Sequence, residues 1–291
     1  MSGTISPVVV GVDGAYTAIR AARWAAAVAN GYDVPLHIVH ADPYLGHNPA
    51  GAPAVMLTAA DVAKQQRSSQ AILQAAEHAV RTDFPNLVVT TALTRDPAKE
   101  ALADVSRRAR LLVLGCDDVS LGTALLVGST TVAVAEHSAC PVVAWRGDSV
   151  APTERRIVLG VDDGDNSGAA IAAAFEFADR IGVGITAVHA WSTRRQPGDV
   201  TIPYLIDWDQ VEDEHRQQLS EALAPWIKRY PNVDVTCVVD RDKPSRALLR
   251  HVDDAQLVVV GSRGRGPLAG AVLGSTSLNL LHHSGVPVMI C

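Results

Sequence analysis

Short apolar runs alternate along the chain with longer segments whose apolar residues recur at helical spacing. Near the start, the run PVVVGVDG at 7–14 is rich in β-branched residues, which is typical of a buried strand. The segment AIRAARWAAAVA at 18–29 then has its apolar residues on one face of a helix, with Arg20 and Arg23 on the other. Alternating strands and helices with continuously apolar strands predict a parallel sheet that helices cover on both faces.

The same alternation continues through the first half of the chain. In order, it predicts a strand at 36–40, a long loop, a helix at 60–82, a strand at 87–92, a helix at 98–108 and a strand at 111–114, then a last helix and a last strand. Sheets of this kind bind ligands at the carboxyl ends of their strands, near the point where the strand order reverses. The residues directly after the strands are therefore the first candidates for chemistry.

The whole unit occurs twice. PVVVGVDG, which ends at Gly14, matches RIVLGVDDG, which ends at Gly164, so that Asp13 and Asp162 occupy equivalent positions. Three further pairs of segments match in the same order: LHIVHA with ITAVHA, RLLVLGC with QLVVVGS, and CPVVAW with VPVMIC. We therefore predict that one α/β unit was duplicated.

Length and charge narrow the class of protein. The 291 residues fit two domains of ~100–200 residues each, which we place at 1–147 and 154–291, joined by a short polar segment that contains Pro152. The 25 Lys and Arg residues are scattered among 31 Asp and Glu residues, for a formal net charge of -6. Because binding to nucleic acid or to an anionic membrane surface needs clustered basic residues, we expect neither partner.

Hydropathy and cysteine usage indicate a soluble cytoplasmic protein. The longest charge-free stretch, at 119–135, is shorter than the ~20 apolar residues that span a bilayer, and no signal peptide is evident before the first strand. The cysteines form no CxxC pair and show no metal-ligand spacing, so we expect buried reduced thiols. They are Cys116, Cys140, Cys237 and Cys291.

The strongest chemical signal is a glycine motif in the second copy. It consists of Gly261-Ser262-Arg263-Gly264, nine residues, and then Gly274-Ser275-Thr276. The motif follows the strand LVVV, and its last glycine opens the predicted helix TSLNLL. Glycines let main-chain N–H groups approach an anion, and a helix start adds unpaired donors and the positive end of the helix dipole. The motif therefore predicts a phosphate site.

Several side chains of this motif have a second interpretation. Ser275 and Thr276 supply hydroxyl groups to a phosphate, or one of them only caps the helix. Arg263 and Arg265 neutralise phosphate charge, or both are simply solvated. The glycines themselves could do no more than make turns in an ordinary crossover.

The first copy departs from this motif. Its loop has Asp118 where the second glycine would stand, and it reads Gly115-Cys116-Asp117-Asp118, nine residues, then Gly128-Ser129-Thr130. Like charges within ~4 Å cost around 1 kcal/mol even in water. We therefore predict that the first domain binds a nucleotide more weakly, or that it needs a divalent cation such as Mg between these carboxylates and the phosphates. Alternatively, the loop turns outward and its acids are solvated.

Taken together, these motifs make the chain resemble the universal stress protein family, in its tandem two-domain, ATP-binding form. The motifs are GVDDG after the first strand, VHA at the second, GSRGRG after the fourth, and G-x2-G-x9-G-[ST] overall. The resemblance covers essentially the whole chain, twice. It implies an α/β fold of two tandem doubly wound five-stranded parallel-sheet domains, of the adenine-nucleotide alpha hydrolase type.

The resemblance also implies roles for particular residues. Asp162, and Asp13 in the first copy, would contact the ribose and adenine region, whereas Ala190 and Ala41 would meet the adenine edge through their main chain. The glycine loop would hold the phosphates. Without the resemblance, Asp162 at the carboxyl end of a strand is still a suitable acceptor for ribose hydroxyls, and the alternative is a helix N-cap.

A binding loop without an evident catalytic set predicts a nucleotide-binding regulatory protein rather than an enzyme, and the resemblance implies that it binds ATP and acts in the stress response. His40 and His189 stand at strand ends, where we expect structural histidines. The alternatives are a slow ATPase or autophosphorylating enzyme that uses the same site, and a partner-binding module that uses neither site. The short apolar strands PVVAW and PVMIC are expected to pair the two copies within one chain, and a homodimer is left open.

Overall fold

The computed structural model describes residues 6–43, 58–116, 128–162, 167–191, 207–262 and 273–291. The chain divides into two compact units, Met1–Thr153 and Glu154–Cys291. Each unit contains a parallel sheet with helices between its strands, so the predicted α/β fold of two tandem parallel-sheet units is confirmed. Within the described ranges, every helix is too short or too polar to span a bilayer.

The first unit alternates strands and helices throughout. Its elements are β1 (Val8–Gly11), α1 (Tyr16–Gly31), β2 (Leu36–Ala41), α2 (Ala59–Asp83), β3 (Val89–Thr94), α3 (Ala98–Ser106), β4 (Leu111–Gly115), α4 (Ser129–His137) and β5 (Val142–Trp145). The strands pair in parallel in the order β3-β2-β1-β4-β5. The order reverses between β1 and β4, which is where such sheets bind ligands.

The second unit repeats this arrangement. Its elements are β6 (Arg156–Val161), α5 (Gly168–Ile181), β7 (Ile185–Ala190), α6 (Trp208–Arg229), β8 (Val235–Asp240), α7 (Pro244–Leu249), β9 (Ala255–Val260), α8 (Ser275–His283) and β10 (Val288–Ile290). The strand order is β8-β7-β6-β9-β10, again all parallel. The reversal therefore falls between β6 and β9.

The core of each unit lies between its sheet and its helices. Strands β1, β4 and β9 are buried along nearly their whole length, as expected for strands that helices cover on both faces. In the second unit, the buried ring of Phe175 on α5 packs against two rings near the end of α6, with centroids 6.2 Å from Trp226 and 5.9 Å from Tyr230. These contacts fix α6 against α5 beside the sheet.

Several predicted boundaries in the first unit are wrong by up to two residues, among them the end of β3, which lies at Thr94 rather than at 92. Strand β3 begins at Val89 rather than at 87, because Leu87 donates its N–H to the Phe84 carbonyl at 3.2 Å in the turn after α2. Helix α3 ends at Ser106 rather than at 108, where Arg108 bonds only to the carbonyl three residues before it. In both cases, a local turn uses the main-chain groups that the longer element would have needed.

Candidate functional site

A cleft opens at the carboxyl edge of the second unit's sheet, where β6, β7 and β9 end. It encloses about 650 Å³, including its open mouth, and α7 and the start of α8 complete its walls. Six of the residues predicted from the sequence line it together: Asp162, Ala190, Gly261, Gly274, Ser275 and Thr276. Arg263 and Gly264, which belong to the same prediction, lie outside the described residues, as does Arg265.

One end of the cleft is formed by the start of α8. The first N–H groups of a helix have no partner within the helix, so this end presents hydrogen-bond donors and a positive dipole. Gly274 stands at the N-cap with φ -60° and ψ 149°, an extended conformation that any residue can adopt. Its backbone therefore does not require glycine.

Two hydrogen bonds hold the start of α8 against the residues that follow β9. Gly274 donates its N–H to the Ser262 carbonyl at 2.9 Å, which ties the start of α8 to the residue after β9. The Ser277 hydroxyl, which is buried, donates to the Gly261 carbonyl at 2.7 Å. Ser277 was not predicted from the sequence, because its contact depends on a turn of α8 lying over the end of β9.

The opposite end of the cleft is apolar. Val188 and Ala190 line it from one face of β7, and Pro244 and Leu248 line it from α7. Ala190 is the last residue of the strand. Apolar walls of this kind suit an aromatic base. Pro244 and Leu248 were missed because the sequence carries no chemical signal for a wall of this kind.

Asp162 lies between the two ends, directly after β6. Its N–H donates to the Ser167 hydroxyl oxygen at 2.9 Å, and the same hydroxyl donates to the Asp162 carbonyl at 3.2 Å. Ser167 also lines the cleft and is buried. Ser167, rather than Asp162, is the N-cap residue of α5, so the alternative interpretation of Asp162 as that cap does not fit this geometry.

The first unit has a cleft at the equivalent edge, of about 600 Å³. Asp13, Ala41, Gly115 and Thr130 line it. Gly128 is the N-cap and Ser129 the first residue of α4, but neither is among the described residues that line the cleft. Asp117 and Asp118 lie outside the described residues, so the predicted repulsion remains a prediction.

Gly115 and Gly128, the two glycines of the predicted phosphate loop of the first unit, have different surroundings. A Cβ atom at Gly115 would lie 3.0 Å from the Thr17 carbonyl oxygen and 3.0 Å from the Ala18 nitrogen. The start of α1 therefore packs directly on Gly115, which accounts for this glycine without any ligand. At Gly128, by contrast, no described atom lies within 4 Å of the position of a Cβ. Packing against the described residues therefore explains Gly115 but not Gly128.

The Asp13 carboxylate makes a hydrogen bond within its own turn. One carboxylate oxygen accepts the N–H of Ala15, the N-cap residue of α1, at 2.9 Å. This is an Asx-type turn, in which an acidic side chain stabilises the main chain two residues further on. The turn at the start of α1 thus uses an atom that the prediction assigns to a ribose.

Comparisons with known proteins agree with this duplicated architecture. The model of the universal stress protein family matches residues 4–146 and again residues 154–291. The chain belongs to the universal stress protein family. It is 33% identical over 295 residues to a universal stress protein of Mycolicibacterium smegmatis, covering 99% of this chain and 98% of that one. A universal stress protein of Mycobacterium tuberculosis H37Rv is 35% identical over 294 residues, covering 97% and 95%.

Among solved structures, the fold is similar to that of a universal stress protein from Archaeoglobus fulgidus DSM 4304. The TM-score is 0.72 at 17% identity, over 98% of this chain and 97% of that chain. This likeness extends over both units, so the tandem arrangement of the fold is shared with that protein.

The histidines of this universal stress protein have structural contacts. His40 is buried and its Nδ1 lies 2.7 Å from the Val12 carbonyl oxygen, so the ring donates Nδ1–H across to the end of β1. His189 does the same to the Val161 carbonyl at 3.0 Å, and its Nε2 lies 3.1 Å from Nδ1 of His215. The two Nδ1 contacts each join the ends of neighbouring strands, whereas the contact with His215 joins β7 to α6.

The cysteines of the chain are free thiols, but not all are buried as predicted. Cys116 is buried, Cys140 and Cys291 are partly buried, and Cys237 is exposed on the edge strand β8. Strand β8 is buried much less than the central strands, and Thr236 and Cys237 are both exposed on it. Burial raises the pKa of the Cys140 thiol and keeps it protonated at neutral pH. Among the described residues, no group of three or more metal-ligating side chains is placed to hold an ion.

Proposed function

We propose that this universal stress protein is an ATP-binding regulatory module of the stress response, and that ATP binds in the cleft of the second unit. The adenine would lie at the apolar end between Ala190 and α7, and the phosphates at the start of α8. Asp162, between these ends, would accept hydrogen bonds from the ribose hydroxyls. The convergence of Asp162, Ala190 and Gly274 on one cleft is the observation that carries the proposal.

The phosphate end supports an anionic ligand by its chemistry. A helix start offers main-chain donors with the correct polarity, and Ser275 and Thr276 add hydroxyl groups beside them. Gly264, outside the described residues, is proposed to complete the loop. A regulatory role in place of an enzymatic one rests on the composition of the cleft, in which Asp162 is the one ionisable side chain among the described lining residues. The four free thiols fit a reducing cytoplasm.

We further propose that the first unit binds ATP more weakly. Its Asp13 carboxylate is already bonded to Ala15, and Asp117 and Asp118 follow its fourth strand. Binding there with a divalent cation such as Mg between these acids and the phosphates is the alternative to weak binding.

Two measurements test the proposal. Mass spectrometry of small molecules released from the purified protein should detect an adenine nucleotide. Calorimetric titration with ATP, with Mg and with EDTA, should give two unequal sites, of which the tighter is unaffected by EDTA. Absence of bound nucleotide together with no affinity at millimolar ATP would refute the binding function, whereas two equal, metal-independent sites would refute the difference between the units. ATP turnover that Asp162→Ala abolishes would instead favour the slow ATPase.

A further inference from the structure

Helix α7 supplies part of the apolar wall of the second unit's cleft, although it is very short. It has six residues, Pro244–Leu249, whereas isolated helices of fewer than about 12 residues are marginal in water. Leu248 is buried and packs on β6, where a Cβ atom at Gly160 would lie 3.1 Å from a Leu248 methyl carbon. Because so short a helix is not stable alone, contacts with the rest of the unit must hold this wall in place.

One arginine ties the end of α7 back to the end of β8. Arg250, the C-cap residue of α7, donates from Nη2 to the carboxylate of Asp240, the last residue of β8. It also donates from Nη1 to the Asp242 carboxylate, with the two atoms 2.7 Å apart. The Asp242 carboxylate in turn accepts the N–H of Lys243, the N-cap residue of α7, at 2.7 Å. Asp242 is therefore bonded to both ends of the helix.

The charge state of Asp242 agrees with this arrangement. The hydrogen bond from Arg250 is the main cause that holds the pKa of the Asp242 carboxyl below its ordinary value, and the Lys243 N–H adds to the effect. The carboxylate is therefore ionised at neutral pH. A guanidinium is suited to this position because its planar fork can bond to two carboxylates at once.

The first unit cannot make the same contacts. Thr94 and Asp240 both end the third strand of their units, and at the same distance from these strand ends Arg250 corresponds to Asp104. The Thr94 hydroxyl donates to the Asp96 carboxylate at 3.1 Å, and an acid at position 104 has no hydrogen to offer either group. Helix α3, which lines the first cleft, is longer than α7 and has nine residues.

We propose that Arg250 is a positioning residue, which holds α7 against the end of β8 so that Pro244 and Leu248 form a fixed wall for the adenine base. The inference rests on the proposed ATP site and adds to it a residue that is not among the described residues lining the cleft. The competing explanation is that the Arg250 charge attracts the phosphates through space.

The contacts of Arg250 are tested first without nucleotide. Hydrogen exchange of the α7 amides, followed by mass spectrometry on the full chain, should be roughly three- to tenfold faster in Arg250→Ala, because ion pairs of the helix end are lost. Exchange in α5 should not change. Arg250→Lys should give an intermediate rate, since a lysine lacks the fork.

Arg246→Ala is the matched control for charge. It removes a cation from the same helix, but Arg246 lies 3.8 Å from the Asp242 carboxylate, beyond hydrogen-bond distance. We expect this variant to change amide exchange and ligand affinity by less than about twofold.

Two ligands separate positioning from attraction by charge. Adenosine is neutral and contains the base, whereas inorganic triphosphate is an anion without a base. Arg250→Ala should weaken adenosine and ATP at the tighter site by a similar factor, roughly three- to tenfold. It should weaken triphosphate no more than Arg246→Ala does. Calorimetry measures these affinities, with displacement of ATP for the weaker ligands.

Several outcomes would overturn the role of Arg250 and leave the ATP site standing. They are unchanged amide exchange in α7, unchanged adenosine affinity, a loss confined to ATP and triphosphate, and equal effects of Arg250→Ala and Arg246→Ala. Failure of the parent protein to bind ATP or adenosine at millimolar concentration would instead overturn the ATP site, and with it the function of this wall, whatever the exchange rates show.

Discussion

Arg156, at the start of β6, donates from Nη1 to the Asp234 carboxylate, with the two atoms 2.5 Å apart. The same guanidinium donates from Nη2 to the Ile185 carbonyl at 2.6 Å and to the Thr236 hydroxyl at 3.1 Å, and from Nε to the Thr186 hydroxyl at 3.3 Å. One side chain thus joins β6, β7 and the start of β8 at the edge of the sheet opposite the cleft. Its planar fork suits this task better than a lysine would.

Removing this side chain should destabilise the second unit. We expect Arg156→Ala to lower the free energy of unfolding by about 1–3 kcal/mol, since several carbonyl and hydroxyl partners lose a charged donor together. Arg156→Lys should recover only a part, because a lysine cannot reproduce the fork. Urea denaturation measures both. Lys228→Ala, which removes an exposed cation on α6, is the control, with an expected change of no more than about 0.5 kcal/mol; an equal loss in the control would contradict this account.

Gly115 and Gly128 in the first unit should respond differently to substitution. Gly115→Ala places a Cβ against the main chain at the start of α1, so we expect a loss of about 1–3 kcal/mol in unfolding free energy. Gly128→Ala meets open space and should change stability by less than about 0.5 kcal/mol. Thermal unfolding of the two variants side by side provides the comparison. Similar stabilities would show that the start of α1 moves away from residue 115 at little cost in free energy.

A side chain at Gly274 should affect binding and leave folding intact. Its φ and ψ are accessible to any residue, but Gly274→Val would cover the N–H groups at the start of α8. If two hydrogen bonds to phosphate are lost, ATP affinity falls by about tenfold or more. Calorimetry measures the affinity, and the melting temperature checks the fold. Only the tighter site should weaken, because Gly274 lines the cleft of the second unit.

Stability should depend on pH through His37 on β2. Burial lowers the pKa of this imidazole, and its hydrogen bond to Thr90 opposes that effect only in part. The folded state therefore prefers the neutral ring, and the unfolded chain takes up the proton at a higher pH. The contribution of His37 to stability is fully present above the unfolded pKa of 6.5. It is lost as the pH falls through that value towards the folded pKa.

The matched variant for this effect is His37→Gln, which keeps a hydrogen-bonding side chain but cannot titrate. Melting temperatures measured from pH 7.5 to 5 should fall more steeply for the parent than for the variant. Parallel curves would show that protonation of His37 has no part in the acid sensitivity of the first unit.

The sequence predicted the strand ends of this site well, and for a physical reason. The ends of buried parallel strands meet at one edge of the sheet, which is why Asp162, Ala190 and Gly261 share a cleft. Ser167 was missed because its contact with Asp162 spans five positions of sequence, and no periodicity records such a contact. Gly115 was assigned to phosphate, although packing against Thr17 already requires it. A motif shows which residues are present but not which neighbours need them.

The contrast between Ala15–Asp13 and Ser167–Asp162 has a consequence for how duplicated domains diverge. In one copy a carboxylate accepts the N–H of the N-cap residue of the next helix, and in the other the hydroxyl of that N-cap residue bonds to the main chain of the acidic residue. The described contacts at this strand end are therefore made by different atoms in the two copies. A repeat built in this way can specialise one half while the other half remains a folded scaffold.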